Sequence, residues 1–225
     1  MNWENLIGKI TCSDCLDILK QLPDKCVDLV LTDPPYGIGY DKKATRYNGT
    51  FQGNGLAKRG TYHFADWDSK TPNKEVFDEI IRVSKNQIIF GGNYIANMLE
   101  NSKHWIVWDK QTNGDWADCE LAWTSFGKPI KKYEYLWNGM LQQNMKEKEE
   151  RIHPTPKPVG LFMKILQDYS NENDLVLDCF SGSGTTAVAC HKLKRRFICI
   201  ERDKEYFEAS VKRLEQEQRQ QIMEF

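Results

Sequence analysis

Apolar residues recur along this chain with two different periods. Short apolar runs, which are typical of buried strands, occur in KITC, VDLVLTD, QIIFGG, HWIVWDK, CELAWTS, DLVLDCF and RRFICIE. The segment NKEVFDEIIRVS at 73–84 instead places its apolar residues at 76, 77, 80, 81 and 83, which is the spacing of one face of a helix. Because strand-like and helix-like segments alternate, the sequence predicts an α/β layer fold.

Capping residues and prolines mark the ends of the other predicted helices. SDCLDILKQL is predicted to be a helix capped by Ser13 or Asp14, with Pro23 beyond its end. Pro158 opens the amphipathic helix PVGLFMKILQDY. We also predict a helix over NYIANMLE and a final helix from EYFEAS onward, whose polar far end faces solvent.

Two polar stretches interrupt this alternation. Residues 37–70 are rich in Gly, Asn, Lys and Thr and predict a long loop, which in a compact domain is either functional or disordered. Residues 126–152 are polar and basic, carry several aromatic residues and end in the charge run KEKEER. We interpret this second stretch as an insert or a surface excursion.

A glycine-rich turn lies within the last predicted strand–helix–strand unit. Gly182 to Ala187 reads G-S-G-T-T-A after the strand DLVLDCF, and Glu201 ends the next strand, where an acid can bind both hydroxyls of a ribose. A P-loop is excluded because its lysine is absent. Either the glycines serve the turn geometry alone, or the turn binds a dinucleotide or S-adenosylmethionine. Asp178 favours S-adenosylmethionine, since a carboxylate repels a pyrophosphate and attracts an ammonium group.

The segment LTDPPYGIGY places an acid and an aromatic ring at the end of a predicted buried strand. Asp33 comes first, Pro34 and Pro35 follow, and Tyr36 completes the group. Either this is a rigid turn with no further role, or it forms a pocket for a flat ring that carries an amino group. Proline restricts the backbone, so that a carbonyl in such a pocket would point in one direction.

Composition narrows the class of protein. With 225 residues the chain is long enough for one domain with a sizeable core, and 12% aromatic residues argue against disorder. The absence of a long apolar run and of a signal-peptide pattern in MNWENLIGKI predicts a cytoplasmic protein with reduced thiols. The C-x-x-C at Cys12 and Cys15 lacks the partners of a zinc site, so no metal is expected. A net charge of −1 neither requires nor excludes a nucleic-acid partner.

Three separated motifs resemble those of the amino-methyltransferases that modify DNA. They are Asp-Pro-Pro-Tyr at 33–36, His-Pro-Thr-Pro-Lys-Pro at 153–158 and Asp-Cys-Phe-Ser-Gly-Ser-Gly-Thr-Thr at 178–186, and the catalytic motif precedes the cofactor motif, as in the permuted beta group of that family. The resemblance implies an α/β, Rossmann-like fold dependent on S-adenosylmethionine, with a mostly parallel seven-stranded sheet and helices on both faces. It also implies one domain over 1–225, made of a catalytic half at about 1–125, a short target-recognition insert at about 126–152 and a cofactor-binding half at about 153–225.

The resemblance gives the Asp-Pro-Pro-Tyr motif a chemical role. Asp33 and the backbone carbonyl of Pro34 would accept hydrogen bonds from the target amino group, and Pro35 would set the direction of Tyr36. Tyr36 would stack on a base extruded from the duplex. Position and preorganised dipoles would then supply most of the catalysis, without a metal.

The resemblance also implies a set of cofactor contacts. Glu201 would bind the ribose, whereas Asp14 would either meet the adenine ring of the cofactor or serve only as a helix cap. The implied contacts are Asp14, Cys15, Asp33, His153, Lys157, Asp178, Phe180, Gly182, Ser183, Gly184, Thr185, Thr186 and Glu201.

Double-stranded DNA is the partner that the resemblance implies, and basic residues outside the motifs are candidates to contact its phosphates. These candidates are Lys42, Lys43, Arg46, Lys128, Lys131 and Lys132. Because the insert is short, we expect the loop at 37–70 to share target recognition. A homodimer and a cognate restriction endonuclease are further candidate partners.

Alternatives remain for the base that accepts the methyl group and for the activity of the protein. Asp33 favours the N6 amino group of adenine, because cytosine-N4 relatives more often carry serine at that position. Cytosine-C5 chemistry is disfavoured because the chain has no Pro-Cys dipeptide. A cytosine-N4 methyltransferase remains the alternative enzyme, and a catalytically idle DNA-binding module is the alternative of another class.

Overall fold

The computed structural model describes residues 2–39, 68–112, 117–138, 141–146, 148–149 and 155–223. Its strands are β1 (Lys9–Cys12), β2 (Val27–Thr32), β3 (Ser84–Phe90), β4 (Trp105–Asp109), β5 (Cys119–Thr124), β6 (Lys131–Glu134), β7 (Trp137–Asn138), β8 (Leu141–Gln142), β9 (Leu175–Asp178) and β10 (Arg196–Glu201). Its α-helices are α1 (Cys15–Leu19), α2 (Lys74–Val83), α3 (Val159–Tyr169), α4 (Thr185–Lys192) and α5 (Lys204–Met223). None of the described helices combines the length and the apolarity needed to cross a bilayer.

The main sheet has the strand order β1-β10-β9-β2-β3-β5-β4-β6. The pairs β1–β10, β10–β9, β9–β2, β2–β3 and β4–β6 are parallel, and β5 runs antiparallel to both of its neighbours. The predicted α/β fold with a mostly parallel sheet is therefore confirmed. The sheet is 8-stranded rather than seven-stranded, because β6 pairs with β4 and adds one strand at that edge.

Helices cover both faces of this sheet, as expected. On β2, Leu29 and Leu31 belong to the hydrophobic core that includes residues of α3 and α4. Val30 belongs to the core on the side of α1 and α2. This alternation follows from the two-residue period of a strand, and strands buried on both faces need apolar residues at consecutive positions.

The predicted helix over NYIANMLE is wrong in type. The segment forms only a short 3-10 helix at Ala96–Met98, between the buried side chains of Ile95 and Leu99. So short a segment gains little from helical hydrogen bonds, and asparagine competes with the helix by hydrogen-bonding to nearby backbone groups. The path of the chain here is therefore set by the burial of Ile95 and Leu99 instead of by helix propensity.

The predicted insert at 126–152 is partly built into the fold. Its β6 extends the main sheet, and β7 pairs with β8 as a small hairpin. Glu149 of the charge run is also anchored, because its carboxylate accepts hydrogen bonds from the Val159 N–H at 3.0 Å and from Arg213 at 2.9 Å. Val159 is the first residue of α3, so Glu149 satisfies an N–H group that the helix leaves free. Arg213 also donates to the Ser183 carbonyl at 3.1 Å, which ties the insert to the glycine turn.

Replacing Glu149 by alanine is expected to lower the free energy of unfolding by about 1–3 kcal/mol, because it leaves the half-buried Arg213 and a helix N–H without their acceptor. Urea denaturation measures this loss. Glu172→Ala, which removes an exposed carboxylate on the loop before β9, is the matched control and should change the midpoint little. Equal midpoints for the two variants would contradict the anchoring role of Glu149.

Candidate active site

One large cavity lies at the edge of the sheet where the parallel strands end. Its volume is about 1270 Å³, more than the roughly 300–1,000 Å³ of a site for one small molecule. It lies over the boundary between the neighbouring strands β9 and β2. After β9 the chain passes to one face of the sheet, and after β2 it passes to the other. Open α/β sheets bind their ligands at such a boundary. The predicted site residues that line it are Asp14, Cys15, Asp33, Pro34, Pro35, Tyr36, Lys157, Asp178, Phe180, Gly182, Ser183, Thr185, Thr186 and Glu201.

Asp33 follows β2 directly, and two donors orient its carboxylate. The Tyr36 hydroxyl donates to Oδ1 of Asp33 at 2.5 Å. The ammonium group of Lys157 donates to Oδ2. A carboxylate can accept about four hydrogen bonds, so Asp33 keeps acceptor capacity on both oxygens after these two contacts. Because Asp33 lines the cavity, that capacity is available to an amino group bound there.

Lys157 is the centre of a chain of alternating charges. Its ammonium group contacts Asp33 and lies 3.1 Å from Oε2 of Glu120. The other carboxylate oxygen of Glu120 pairs with Lys110 at 2.6 Å. Only 7% of the Lys157 side chain is exposed, so the two carboxylates compensate its charge in place of water. Lys157, predicted only as a cofactor contact, is thus also a direct partner of the predicted catalytic acid.

Burial and these ion pairs shift the pKa values of the group in different directions. Burial raises the pKa of Asp33, and the opposing effect of the Lys157 ammonium does not cancel the rise. Burial alone would also raise the pKa of Glu120, but the ammonium groups of Lys157 and Lys110 hold it below its ordinary value. Burial would lower the pKa of Lys157, but the two carboxylates outweigh burial and raise it. Lys157 is therefore an ammonium ion at neutral pH.

Two contacts to the ring and one to the backbone hold Tyr36 in place. The Tyr94 ring stacks on it with 4.9 Å between the centroids and 17° between the planes. Gly91 packs so closely that a Cβ added there would lie 2.0 Å from Cε1 of Tyr36. The buried Asp68 carboxylate accepts hydrogen bonds from the N–H groups of Tyr36 and Gly37 at 2.8 and 2.9 Å. A base can stack on the ring face that Tyr94 covers only if the exposed Tyr94 side chain moves.

The carboxylate of Glu201 is hydrogen-bonded to the backbone of the glycine turn. Oε2 of Glu201 accepts a hydrogen bond from the Gly182 N–H at 2.7 Å, and Oε1 accepts one from the Asp203 N–H at 2.8 Å. Burial raises the pKa of Glu201, and these two amide groups oppose the rise. A turn with a carboxylate on its amide is poorly suited to a pyrophosphate, which needs the same donors. The contact of Glu201 with a ribose stays a prediction.

Gly184 has a packing role, and its predicted contact with the cofactor stays a prediction. It has a φ of +76° and precedes α4. A Cβ added there would lie 3.0 Å from Cβ of Ser210 on α5, and Gly184 is not among the residues that line the cavity. The glycine therefore serves the turn conformation and the close approach of α5.

Asp178 ties the glycine turn to the neighbouring strand. Its Oδ1 accepts hydrogen bonds from the Thr32 hydroxyl at 2.7 Å and the Phe180 N–H at 3.1 Å, and its Oδ2 accepts one from the Thr186 hydroxyl at 2.5 Å. Burial raises the pKa of Asp178 to about 6, although these donors oppose the rise. These contacts join β9, β2 and α4 beneath the cavity. The attraction of an ammonium group by Asp178 stays a prediction.

Asp14, Cys15 and Thr185 are further predicted cofactor residues that line the cavity. The Thr185 hydroxyl donates to the Lys157 carbonyl at 2.9 Å, which brings the Pro-Lys-Pro segment against the glycine turn. Asp14 caps α1, because its carboxylate accepts a hydrogen bond from the Leu16 N–H at 2.9 Å. It also lines the cavity, so a contact with adenine remains compatible with the cap. Burial raises the pKa of Cys15 to about 12, so this residue is a neutral thiol at physiological pH.

The predicted DNA-contacting lysines near β6 are engaged within the protein. Lys131 pairs with Asp168 at 2.6 Å, Lys132 pairs with Glu134 at 2.5 Å, and Lys128 donates to the Asp168 carbonyl at 3.0 Å. Exposed ion pairs are weak, so DNA phosphates can compete for these groups, and their role in binding DNA stays a prediction. Lys42, Lys43, Arg46 and His153 lie outside the described residues.

Glu120, Tyr94 and Gly91 are among the residues of the cavity that were not predicted from the sequence. Glu120 lies near the start of β5, and the antiparallel direction of β5 brings it to the edge where the parallel strands end. The sequence held two signals for these residues. An acid interrupts the apolar run CELAWTS, and paired glycines followed by Asn-Tyr end the strand QIIFGG.

Comparisons with known proteins agree with this geometry. The model of a family described as DNA methylase, of the N6/N4 type, matches residues 123–212. The type II methyltransferase M.HpaI of Haemophilus parainfluenzae is 30% identical over 249 aligned positions, which cover 93% of this chain and 74% of that protein. The type II methyltransferase M.HinfI of Haemophilus influenzae is 29% identical over 252 positions, which cover 95% and 70%.

Solved structures extend the agreement to the fold. The crystal structure of the M1.HpyAVI–SAM complex has a TM-score of 0.56 and 26% identity, and it covers 92% of this chain and 99% of its own. The cytosine-N4-specific PvuII DNA methyltransferase has a TM-score of 0.58 with 90% and 84% coverage, and at 15% identity it shows the fold alone. Described residues from all three motifs line one cavity, and a relative at 30% identity matches nearly the whole chain. This protein therefore belongs to the N6/N4 family of DNA methyltransferases.

Proposed function

We propose that this family member transfers a methyl group from S-adenosylmethionine to the exocyclic N6 amino group of adenine in double-stranded DNA. The observation that carries the proposal is the placement of Asp33 in the cavity, oriented by Tyr36 and Lys157 and with acceptor capacity to spare. The glycine turn lines the same cavity, so a methyl donor there and an amino group at Asp33 would share one space.

The chemistry of the site suits an amino acceptor. The nitrogen of an exocyclic amine is a poor nucleophile, because its lone pair is delocalised into the ring. The Asp33 carboxylate and the Pro34 carbonyl can each accept one N–H hydrogen bond, which draws the nitrogen toward a tetrahedral shape and frees the lone pair. Preorganised acceptors of this kind are a large source of rate enhancement. The new N–C bond would form as the S–C bond breaks, the sulfonium would become a neutral thioether, and the proton lost from the nitrogen would pass to the Asp33 carboxylate and from there to solvent.

The residues around the glycine turn fit the proposed cofactor. Asp14, Asp178 and Glu201 line this part of the cavity, and such carboxylates suit a ligand with a sulfonium charge, an ammonium group and ribose hydroxyls. The Gly182 amide that a phosphate would need is bound to Glu201. When bound, S-adenosylmethionine supplies a methyl group that its sulfonium charge already activates. S-adenosylmethionine is also the ligand in the M1.HpyAVI–SAM structure.

The proposal includes extrusion of the target base from the duplex. Extrusion costs a few kcal/mol, and stacking on an aromatic ring can return about 1–3 kcal/mol. Tyr36 is the ring placed beside Asp33, and Tyr94, stacked on it, is a second aromatic ring at the same cavity. Contacts between basic residues and DNA phosphates would supply the remainder.

Cytosine N4 is the alternative acceptor, since the family includes both base specificities. Asp33 favours adenine, because the family resemblance implies serine more often at this position in cytosine-N4 enzymes. The two amino groups present similar hydrogen atoms to Asp33, so the size and edge of the base would have to be distinguished by other residues of the cavity.

Nucleoside analysis of treated DNA tests the proposal. We expect unmethylated plasmid DNA incubated with the protein and S-adenosylmethionine to yield N6-methyladenine after digestion, detected by mass spectrometry. N4-methylcytosine would overturn the base assignment and keep the enzyme class. No methylated nucleoside would overturn the proposed activity. Sequencing that reports modified positions on the same DNA would give the recognition sequence.

A further inference from the structure

Glu120 is a charged residue in the cavity to which the proposed reaction assigns no role. It lies near the start of β5 and lines the cavity that Asp33 also lines. Its two oxygens bind two different cations, Lys157 at 3.1 Å and Lys110 at 2.6 Å. It does not contact Asp33 directly in the ion-pair chain, because the ammonium group of Lys157 stands between them.

The charges explain why such a residue is needed. Lys157 orients Asp33, but an ammonium group bound to one carboxylate alone would neutralise the negative charge that the target amino group must meet. Glu120 shares this ammonium group, so Asp33, Lys157 and Glu120 together carry one net negative charge. Without Glu120, the cations Lys157 and Lys110 would leave an excess positive charge in a cavity that is proposed to bind a sulfonium ion.

We propose that Glu120 is a positioning residue of the methyl-transfer site, which acts through Lys157 to keep the Asp33 carboxylate oriented toward the target amino group and to keep the net charge of this ion-pair group negative. Lys110 opposes this action from the far oxygen of Glu120. The inference rests on the proposed function, because it assigns a role in the same reaction.

The pH dependence of the reaction should report this arrangement. The titratable groups around Asp33 are the Tyr36 hydroxyl from its own loop, Lys157 from the segment before α3, Glu120 from β5 and Asp178 from β9. Tyr94 stands behind Tyr36, and Lys110 follows β4. Protonation of Asp33 removes the acceptor, so the rate falls on the acid side of the profile. The negative charge of Glu120 raises the pKa of Asp33, and removal of that charge should move the acid limb to lower pH.

Glu120→Gln, which keeps the shape and removes the charge, tests the proposal. Single-turnover methyl transfer is measured with excess protein, tritiated S-adenosylmethionine and unmethylated plasmid DNA across pH 5–9. We expect a rate at neutral pH that is about 10–100-fold lower, because the acceptor loses its position and the group of Asp33, Lys157 and residue 120 loses its net negative charge. We also expect the acid limb to move down by about one pH unit. Glu134→Gln, an exposed carboxylate on β6, is the control with an unchanged profile.

Lys110→Gln separates this role from a structural one. It removes the opposing charge, so the acid limb should move to higher pH, opposite to Glu120→Gln. A residue that only supported the fold would lower the rate in both variants without moving the limb in opposite directions. If the wild-type protein is active and the acid limbs of both variants lie at its pH, the inference is overturned and the proposed function stands.

A readout without turnover keeps the two proposals distinguishable. The carboxyl carbon of Asp33 can be titrated by NMR in protein labelled with carbon-13 aspartate, and Asp33→Asn assigns the signal. We expect the pKa of Asp33 to fall in Glu120→Gln and to rise in Lys110→Gln, whether or not the wild-type protein methylates the plasmid. The same pKa in all three proteins would overturn the inference by itself.

Discussion

Replacing Asp33 by alanine is expected to abolish methyl transfer while the protein still binds S-adenosylmethionine. The variant removes the acceptor that would polarise the target amino group, and the loss of such a preorganised group costs about 10²–10³ in rate. It also leaves the Lys157 ammonium group beside the target without the Asp33 carboxylate to balance it, so we expect a loss at the upper end, about 10³-fold or more. Tritium transfer to plasmid DNA measures the rate, and calorimetry measures cofactor binding.

The ion pairs of Lys157 make this experiment interpretable. Removing one partner of a buried ion pair is normally strongly destabilising, but Glu120 remains 3.1 Å from Lys157 after Asp33 is removed. The variant should therefore fold and bind the cofactor at the glycine turn. Asp17→Ala, on the exposed side of α1, is the matched control. Wild-type transfer by Asp33→Ala would contradict the assignment of this acid.

Replacing Gly91 by alanine is expected to displace the Tyr36 ring and lower methyl transfer about 100-fold. The new Cβ would lie 2.0 Å from Cε1 and 2.4 Å from Cδ1 of Tyr36, and the φ of +66° is itself unfavourable for alanine. A shift of about 1 Å near a reacting group can cost about 10² in rate. Overpacking should also lower the free energy of unfolding by about 1–3 kcal/mol. Single-turnover rates and urea denaturation measure the two effects.

Two further variants show whether this effect passes through Tyr36. Gly127→Ala is the control, because a Cβ there meets nothing within 4 Å. In the background Tyr36→Ala, the change Gly91→Ala should cost little more, since the ring it displaces is gone. Additive losses of rate in the double variant would mean that Gly91 acts on the site by another route. A crystal structure of Gly91→Ala in which the Tyr36 ring has not moved would lead to the same conclusion.

Tyr94 shows how local signals can fail at a functional site. The sequence NYIANMLE has enough apolar residues to resemble a helix, but the chain instead turns after Gly91, where Tyr94 N–H donates to the Gly91 carbonyl at 2.9 Å. That turn places the Tyr94 ring on Tyr36. The geometry depends on the tight packing of Gly91 against a ring from another loop, so no periodic pattern within the segment could predict it.

The sequence by itself determined the parts of this protein that depend on near neighbours. Strand and helix periods, the cap at Ser13 or Asp14 and the glycine turn are local features, because each is set by residues within one or two turns of chain. The motif Asp-Pro-Pro-Tyr placed an acid and a ring at a strand end, and the family resemblance gave them their chemistry. The parallel direction of the strands then brings Asp33, Asp178 and Glu201 to one edge of the sheet.

Only the tertiary structure decided how the charges of the site are balanced. Lys157 and Asp33 are separated by 124 positions, and Glu120 reaches them because β5 runs antiparallel beside β3. An ion pair across such a distance depends on strand order and direction, which leave no periodic trace in either segment. The same reason explains the eighth strand, since β6 joins the sheet through its pairing with β4 and not through its own polar sequence. Long-range packing, and no local propensity, therefore placed the cation that holds the proposed catalytic acid.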